Sequence, residues 1–282
     1  MPVLDRPLLA WHLDAIAKEG IRDVVVVIGH HGERIVETIG DGSDRGLRIT
    51  YVEQPDPHGI AHALACAEEA VRLPFVLMLG DVFFGGDELG GLLTRLGEPD
   101  TDAVLAIQYE ADPDRIRKNY SVEMDADERV TRVVEKPPEP ASSWRGTGLY
   151  GFSLGFFDAV RRTEPSPLRG ECELTDAIQL YIEAGARVLT VESDAPDFNL
   201  SDTKDLLELN LYALDRIGLT NFVAPTARTD GAQLERSVVL AGASIDPAAR
   251  LEACLVFPGE QVPEGSYRRA ILAGGDVLDC SP

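Results

Sequence analysis

Apolar residues recur along this chain with two periods, one suited to helices and one to buried strands. The stretch PLLAWHLDAIAKEG carries apolar residues at helical spacing and ends at Gly20, a residue suited to the left-handed position after a helix. DVVVVIG follows as an unbroken β-branched run, the pattern of a parallel strand buried on both faces. GERIVETIG then predicts a helix, LRITYVE a strand, IAHALACAEEAVR a helix and FVLMLGD a strand. TDAVLAIQYE predicts another strand, and SVEMDADERVTRVVEKP a hairpin turning at Asp125 to Asp127. ELTDAIQLYIEAG predicts a helix, RVLTVES a strand and DTKDLLELNLYALDRIG a closing helix. This alternation predicts an α/β fold, a Rossmann-like mixed and mostly parallel sheet with helices on both faces.

Past Gly218 the period changes. Aliphatic residues fall six apart at Val239, Ile245 and Leu251, then at Val256 and Val262, then at Ile271 and Val277. Six-residue spacing predicts a short left-handed β-helix, the alternative being a loop-rich tail with coincident spacing. So few coils cannot bury a core alone, so they must pack on the main domain or on another subunit, and a homo-oligomer is expected. The predicted division is a domain over residues 1–217 and a coil segment over 218–282.

Composition narrows the classes. A chain of 282 residues, 44% hydrophobic, can bury a core in one large domain, or in one domain plus a small appendage. Its 26 basic residues against 48 acidic ones, a formal charge of −22, leave no basic stripe for a phosphate backbone, so no nucleic acid partner is expected. No apolar run is long enough for a bilayer and no leader pattern opens the chain, so a soluble cytoplasmic protein without a membrane partner is expected. Cys66, Cys172, Cys254 and Cys280 show no CxxC or metal-ligand spacing, which fits reduced thiols.

Candidate chemistry gathers where strands end. FVLMLGDVFF puts Asp81 after a strand, and ligands of open parallel sheets bind outside such carboxyl ends. An ionised carboxylate there can hold Mg²⁺ carrying substrate phosphates, or can serve as an N-cap or turn residue, and Asp81 alone does not decide. In QPDPHGIAHAL, Gln54 can pair with the edge of a base, and Gly59 lets a flat ring approach the backbone. VVEKP ends a strand with Glu135 and Lys136 side by side, a surface ion pair or a ligand site, and GTGLYGF offers small residues on which a ligand can press.

PVLDRPLLAWHLDAIAKEGIRDVVVVIG, QPDPHGIAHAL, LGDVFF, EKP, GTGLYGF, ELTDAIQL and the DLLELN helix occur in register, and together they resemble the sugar-1-phosphate nucleotidyltransferases. That family includes the glucose-1-phosphate thymidylyl- and mannose-1-phosphate guanylyltransferases. The likeness covers residue 1 to about 215, and the coil segment resembles the β-helix of many members. It implies that an NTP and a sugar 1-phosphate give an NDP-sugar and pyrophosphate, by positioning and charge neutralisation. It further implies Gln54 and Gly59 at the base, Asp81 as a catalytic Mg²⁺ ligand, Lys136 as a catalytic cation on the sugar phosphate, Glu135 on sugar hydroxyls, and Thr147 and Gly148 lining the sugar pocket. Asn199 falls on the family's second metal-ligand position, and Asp197 and Asp202 flank it, either as solvated or capping residues or as carboxylates that supply the charge an amide lacks.

Two departures qualify the resemblance. Ser121 stands where relatives have glycine, which bears on the sugar pocket. The family's first strand and its LAGGxGTRL phosphate loop are not in the sequence, so the 282-residue chain is expected to make little NDP-sugar and to leave DVVVVIG with an unpaired edge prone to self-association. The chain is then a shortened enzyme, or a non-catalytic nucleotide-sugar-binding or regulatory relative. AILAGGDVLDC near the C-terminus is expected as the last coil rather than as a permuted phosphate loop. A glycosyltransferase is the competing class, but LGDV has one aspartate where a DxD motif is needed.

Overall fold

A computed structural model describes residues 1–30, 32–167 and 169–281, and of Asp197 the backbone alone. In chain order come β1 (Pro2–Val3), β2 (Arg6–Pro7), α1 (Leu8–Lys18), β3 (Asp23–Ile28), α2 (Gly32–Ile39), β4 (Arg48–Glu53) and α3 (Ile60–Ala67). Next are β5 (Phe75–Met78), β6 (Val82–Phe84), α4 (Glu88–Leu96), β7 (Ala103–Tyr109), α5 (Pro113–Ile116), β8 (Tyr120–Met124) and β9 (Val130–Glu135). Then follow β10 (Trp144–Phe152), α6 (Phe156–Arg162), α7 (Leu174–Glu183), β11 (Val188–Glu192), β12 (Asp197–Asn199) and α8 (Thr203–Arg216), before a run of short strands. Compactness divides the chain into a larger unit, Leu13–Asp197, and a smaller one, Met1–His12 with Phe198–Pro282.

In the larger unit the main sheet runs β11-β7-β10-β8-β9, with β5 also paired to β10. β5, β7 and β8 pair with β10 antiparallel and β9 pairs with β8 antiparallel, while β11 lies parallel to β7, so the sheet is mixed as expected, but its adjacent pairs are mainly antiparallel rather than mostly parallel, because β10 runs against three neighbours. Its core joins Leu105, Tyr150, Phe152 and Phe156 to Ala177 and Ile178 of α7, where the apolar faces of sheet and helix meet. The hairpin expected around Asp125 is present: the Asp125 carboxylate accepts from the N–H groups of Asp127 and Arg129 at 2.9 and 3.0 Å.

β3 and β4 form a separate parallel pair. Among the described residues β3 pairs with β4 alone and β5 with β10 alone, so one edge of each strand is open. The β-branched run of β3 is accordingly half-buried, not enclosed on both faces as its composition predicts. α3 packs on both β3 and β4, and its Ala61 and Leu64 also join the core under β5 and β10.

In the smaller unit the buried Asn210 of α8 fastens the β1–β2 hairpin. Its Oδ1 accepts the Leu4 N–H at 2.7 Å, and its Nδ2 donates to the Pro2 and Leu206 carbonyls at 3.0 and 2.9 Å. α8 starts in a reciprocal capping box between Asp202 and Asp205, which gives Asp202 the capping role expected as one option. α8 thus groups with the C-terminal coils, whereas the motif register had placed it with the domain over 1–217.

The coils stack three in-register ladders. One holds β13 (Phe222–Val223), β15 (Val238–Val239), β18 (Leu255–Val256) and β21 (Ala270–Ala273). A second holds β14 (Gln233–Glu235), β17 (Arg250–Glu252) and β20 (Ser266–Arg268), and a third β16 (Ser244–Ile245) and β19 (Gln261–Val262). Val239, Ile245, Leu251, Val256 and Val262 are buried inside, as their spacing predicts. Val277 is not: it is 54% exposed on β22 (Asp276–Asp279), which folds back antiparallel on β21. The expected last coil is therefore a hairpin, because Gly274 and Gly275 at φ 65° and 84° supply the tight turn that reverses the chain.

Candidate active site

Asp81 follows β5 at the carboxyl end of the main sheet, in a turn held by the Leu79 N–H donating to the Gly148 carbonyl at 3.0 Å. Its side chain is exposed and makes no hydrogen bond among the described residues, so it caps no helix. Opposite it, β10 carries a bulge between Gly146 and Tyr150, and Gly148 takes φ 93° there. The small residues of this stretch are largely filled by the protein itself. A Cβ on Gly146 would lie 1.7 Å from Cζ of Tyr120, and Thr147, 5% exposed, donates its hydroxyl to the Ala106 carbonyl at 3.2 Å.

Glu135 ends β9 with its carboxylate between two cations. Lys136 Nζ lies 3.9 Å and Arg169 Nη1 3.8 Å from Oε1, while the Thr175 hydroxyl donates to Oε2 at 3.3 Å. Burial, and then the charge of Glu173, raise the Glu135 pKa above the usual carboxylate range; Lys136, Thr175 and Arg169 pull the other way without cancelling them. Lys136 holds φ 42° just before Pro137, a strained conformation fixed by its N–H on the Asn119 carbonyl at 2.8 Å. Arg169 also pairs with Glu171 and Glu173, each at 3.2 Å.

The arginine was missed in the sequence, because it stands four residues before the quoted ELTDAIQL motif. Its signal was a cation set among Glu171 and Glu173 just ahead of a helix. Ser121 and Glu135 fall on opposite faces of the β8–β9 ribbon, since Tyr120 is the residue opposite Glu135. Ser121 instead lines a cavity of about 310 Å³ with Glu123, Arg132, Val134 and the loop from Pro137 to Ala141.

Gln54 follows β4, and its N–H extends the β3–β4 ladder to the Ile28 carbonyl at 2.8 Å. Its Nε2 lies 3.2 Å from the Gly59 carbonyl and 3.0 Å from His62 Nδ1. Gly59 has φ 100° and ψ 174°, a region open to glycine. A Cβ there would meet the Cys172 carbonyl oxygen at 2.5 Å, so the residue type is required by the chain's own packing, before any ligand arrives. Two hydrogen bonds seal that contact, Cys172 N–H to the His58 carbonyl at 2.7 Å and Ala61 N–H to the Cys172 carbonyl at 3.0 Å.

These groups share one end of the larger unit. The loop of Gly59 is bound to Cys172, which lies between Glu171 and Glu173, the acids that hold Arg169. The Tyr150 phenol is pushed well up, mainly by burial and further by the charges of both Glu135 and Asp81. Asn199 belongs to the smaller unit, is exposed, and gives its carbonyl to the Ser201 N–H at 2.9 Å; its part as a metal ligand rests on the resemblance alone. The Asp197 side chain lies outside the described residues.

Comparison with known proteins shows what the whole chain is similar to. The chain is 35% identical over 238 residues to a low-salt glycan biosynthesis nucleotidyltransferase, Agl11, of Haloferax volcanii, covering 82% of this chain and 64% of the relative. It is 33% identical over 253 residues to a glucose-1-phosphate thymidylyltransferase of Streptomyces antibioticus, covering 88% of this chain and 67% of the relative. The chain thus spans about two thirds of the length of these relatives. A Bacillus anthracis structure with sucrose, named for glucose-1-phosphate thymidylyltransferase, superposes with a TM-score of 0.68 at 26% identity, over 76% of this chain and 85% of that one. The profile of the nucleotidyl transferase family matches residues 1–211, and with three quarters of the sequence inside that match the chain belongs to this family.

Proposed function

We propose that the chain acts as a sugar-1-phosphate nucleotidyltransferase, taking an NTP and a sugar 1-phosphate to an NDP-sugar and pyrophosphate. The observation that carries this reading is Glu135 held between Lys136 and Arg169. A carboxylate accepts hydrogen bonds from sugar hydroxyls, and the cations beside it suit the phosphate on the same sugar. A phosphate oxygen of the sugar attacks the α-phosphorus in line; the new P–O bond forms as the bond to the β-phosphate oxygen breaks, and pyrophosphate leaves with the electron pair.

Each residue has a part in that transfer. Lys136 and Arg169 orient the attacking phosphate and offset its charge, and the strained backbone of Lys136 fixes where its stem begins. Gln54 and Gly59 hold the base. Thr147 and Gly148 shape the floor of the sugar pocket, and the Thr147 hydroxyl, whose proton is given to Ala106, has none to donate to a sugar.

Asp81, a carboxylate without a hydrogen-bond or ion-pair partner among the described residues, suits Mg²⁺, which is held by one or two carboxylates together with substrate phosphates. Among the described residues no cluster of three acidic, histidine or cysteine side chains stands ready for a metal without substrate. When bound, Mg²⁺ offsets the charge of the triphosphate. The six-residue spacing supports a left-handed coil, the small number of coils a homo-oligomer, and four unpaired cysteines a cytoplasmic setting.

The test is pyrophosphate release across NTPs and sugar 1-phosphates with Mg²⁺, together with calorimetric binding of each substrate. Lys136→Met and Arg169→Met should weaken the sugar 1-phosphate and leave NTP affinity unchanged. Absence of both release and NTP binding overturns the reading.

A further inference from the structure

The face of the β8–β9 ribbon turned away from Glu135 holds a second polar pocket. Ser121 and Glu123 of β8 lie there beside Val134 and Arg132 of β9, their partners across the ladder. Together with the loop that starts at Pro137 they enclose the cavity of about 310 Å³, a size suited to a small ligand.

Two polar groups of this cavity are left unmet by the protein. Ser121 is 1% exposed, yet its hydroxyl makes no hydrogen bond among the described residues. Glu123 Oε1 is buried without a hydrogen-bond partner among the same residues, and Arg132 Nη1 stands 3.7 Å from it, beyond hydrogen-bond length. Buried groups in this state are costly, and their partner is ordinarily a water or a ligand.

The unmet groups specify a chemistry. A hydroxyl seated against Glu123 can donate to Oε1 and accept from Arg132, closing with one group the gap that the ion pair leaves. The Arg132 side chain, 61% exposed, has the freedom to admit it. Ser121 is two residues along the same strand face, about 7 Å away, where it meets a second hydroxyl across a ring. Val134, Pro137 and Pro138 give an apolar wall for the C–H face of that ring. Glu123 and Glu139 against the single Arg132 leave the lining acidic, which disfavours a phosphate.

We propose that this cavity is a binding site for a neutral, unphosphorylated sugar ring, separate from the site of Glu135, Lys136 and Arg169. The cations of that site suit a phosphate, whereas the acids of this one repel it. The second site does not depend on the nucleotidyltransferase activity.

The test is titration of the full chain with D-glucose and, separately, with glucose 1-phosphate, read by the amide NMR shifts of Ser121, Glu123, Val134 and Ala141. The proteins compared are the wild type, Ser121→Ala, Glu123→Ala and Glu135→Gln. In the wild type glucose should shift these amides saturably, and glucose 1-phosphate should bind there roughly tenfold more weakly. Ser121→Ala should weaken glucose about fivefold and Glu123→Ala about tenfold or more, with the rest of the amide spectrum unchanged. Glu135→Gln, on the opposite face, should leave the glucose affinity of this cavity as it is.

Absence of a saturable shift with glucose overturns the proposal, as does glucose affinity in Ser121→Ala and Glu123→Ala equal to that of the wild type. Loss of the shifts in Glu135→Gln means that these amides report on the other site, and overturns it too. Glucose 1-phosphate binding here as tightly as glucose overturns the neutral class. Should Glu123→Ala lose its dispersed spectrum, Ser121→Ala decides alone.

Discussion

Replacing Gly59 with alanine strikes the contact that joins the base loop to the loop of Arg169. The new Cβ would lie 2.5, 2.8 and 3.0 Å from the carbonyl oxygen, nitrogen and carbonyl carbon of Cys172, all backbone atoms with little freedom to move. Relief requires either leaving φ 100°, ψ 174° or breaking the hydrogen bonds of Cys172 with His58 and Ala61. A side chain in this backbone region costs about 1–3 kcal/mol, and each lost hydrogen bond about 1 kcal/mol. A loss of roughly 4 kcal/mol lowers the melting temperature of a domain of this size by about 10 °C. Gly170→Ala is the control, because at φ 70° its Cβ meets nothing within 4 Å and it bears the torsional cost alone. Differential scanning calorimetry of both variants, with amide exchange at Ala61 and Cys172, separates the two costs. If Gly59→Ala melts within about 2 °C of Gly170→Ala, a difference below 1 kcal/mol, the steric argument fails.

Three further outcomes are expected. Glu135 has a raised native pKa, so its ionised form costs stability above that pKa, and the cost fades as pH falls towards the unfolded value; Glu135→Gln should therefore stabilise the fold more at about pH 8 than at about pH 4, and an equal gain at both would refute the shift. Gly146→Ala drives a methyl into the Tyr120 ring and should cost about 1–3 kcal/mol in urea unfolding, and the cost should shrink when Tyr120→Ala is added; an unchanged midpoint would remove the packing account. Asp81→Asn should abolish the Mg²⁺ dependence of NTP binding with little change in melting temperature, and an undiminished dependence would strip Asp81 of its role.

Local signals in the sequence carried the helices and the hairpin well. α7, α8 and the β8–β9 hairpin stand where periodicity and turn residues put them, because each is decided by its own residues. What sequence could not supply were the partners of small residues. Gly59 reads equally as a place for a ring to approach and as a place for Cys172, more than a hundred residues away, and only the folded chain distinguishes them. Val277 kept the six-residue spacing, yet the two glycines before it turned the chain back, so local turn chemistry prevailed over the longer period. Gln54 was legible as an amide at a strand end, but its contact with His62 depends on the helix phase that brings residue 62 over residue 54.

The open edges of β3 and β5 make the larger unit a natural host for split-protein complementation. Each edge offers a row of main-chain donors and acceptors with no partner strand among the described residues. A separate apolar peptide in extended form could be recruited by backbone hydrogen bonds, with side chains on alternate positions setting its identity. A second copy of the chain can compete for the same rows, so reconstitution and oligomer growth would be rival outcomes set by peptide and protein concentration.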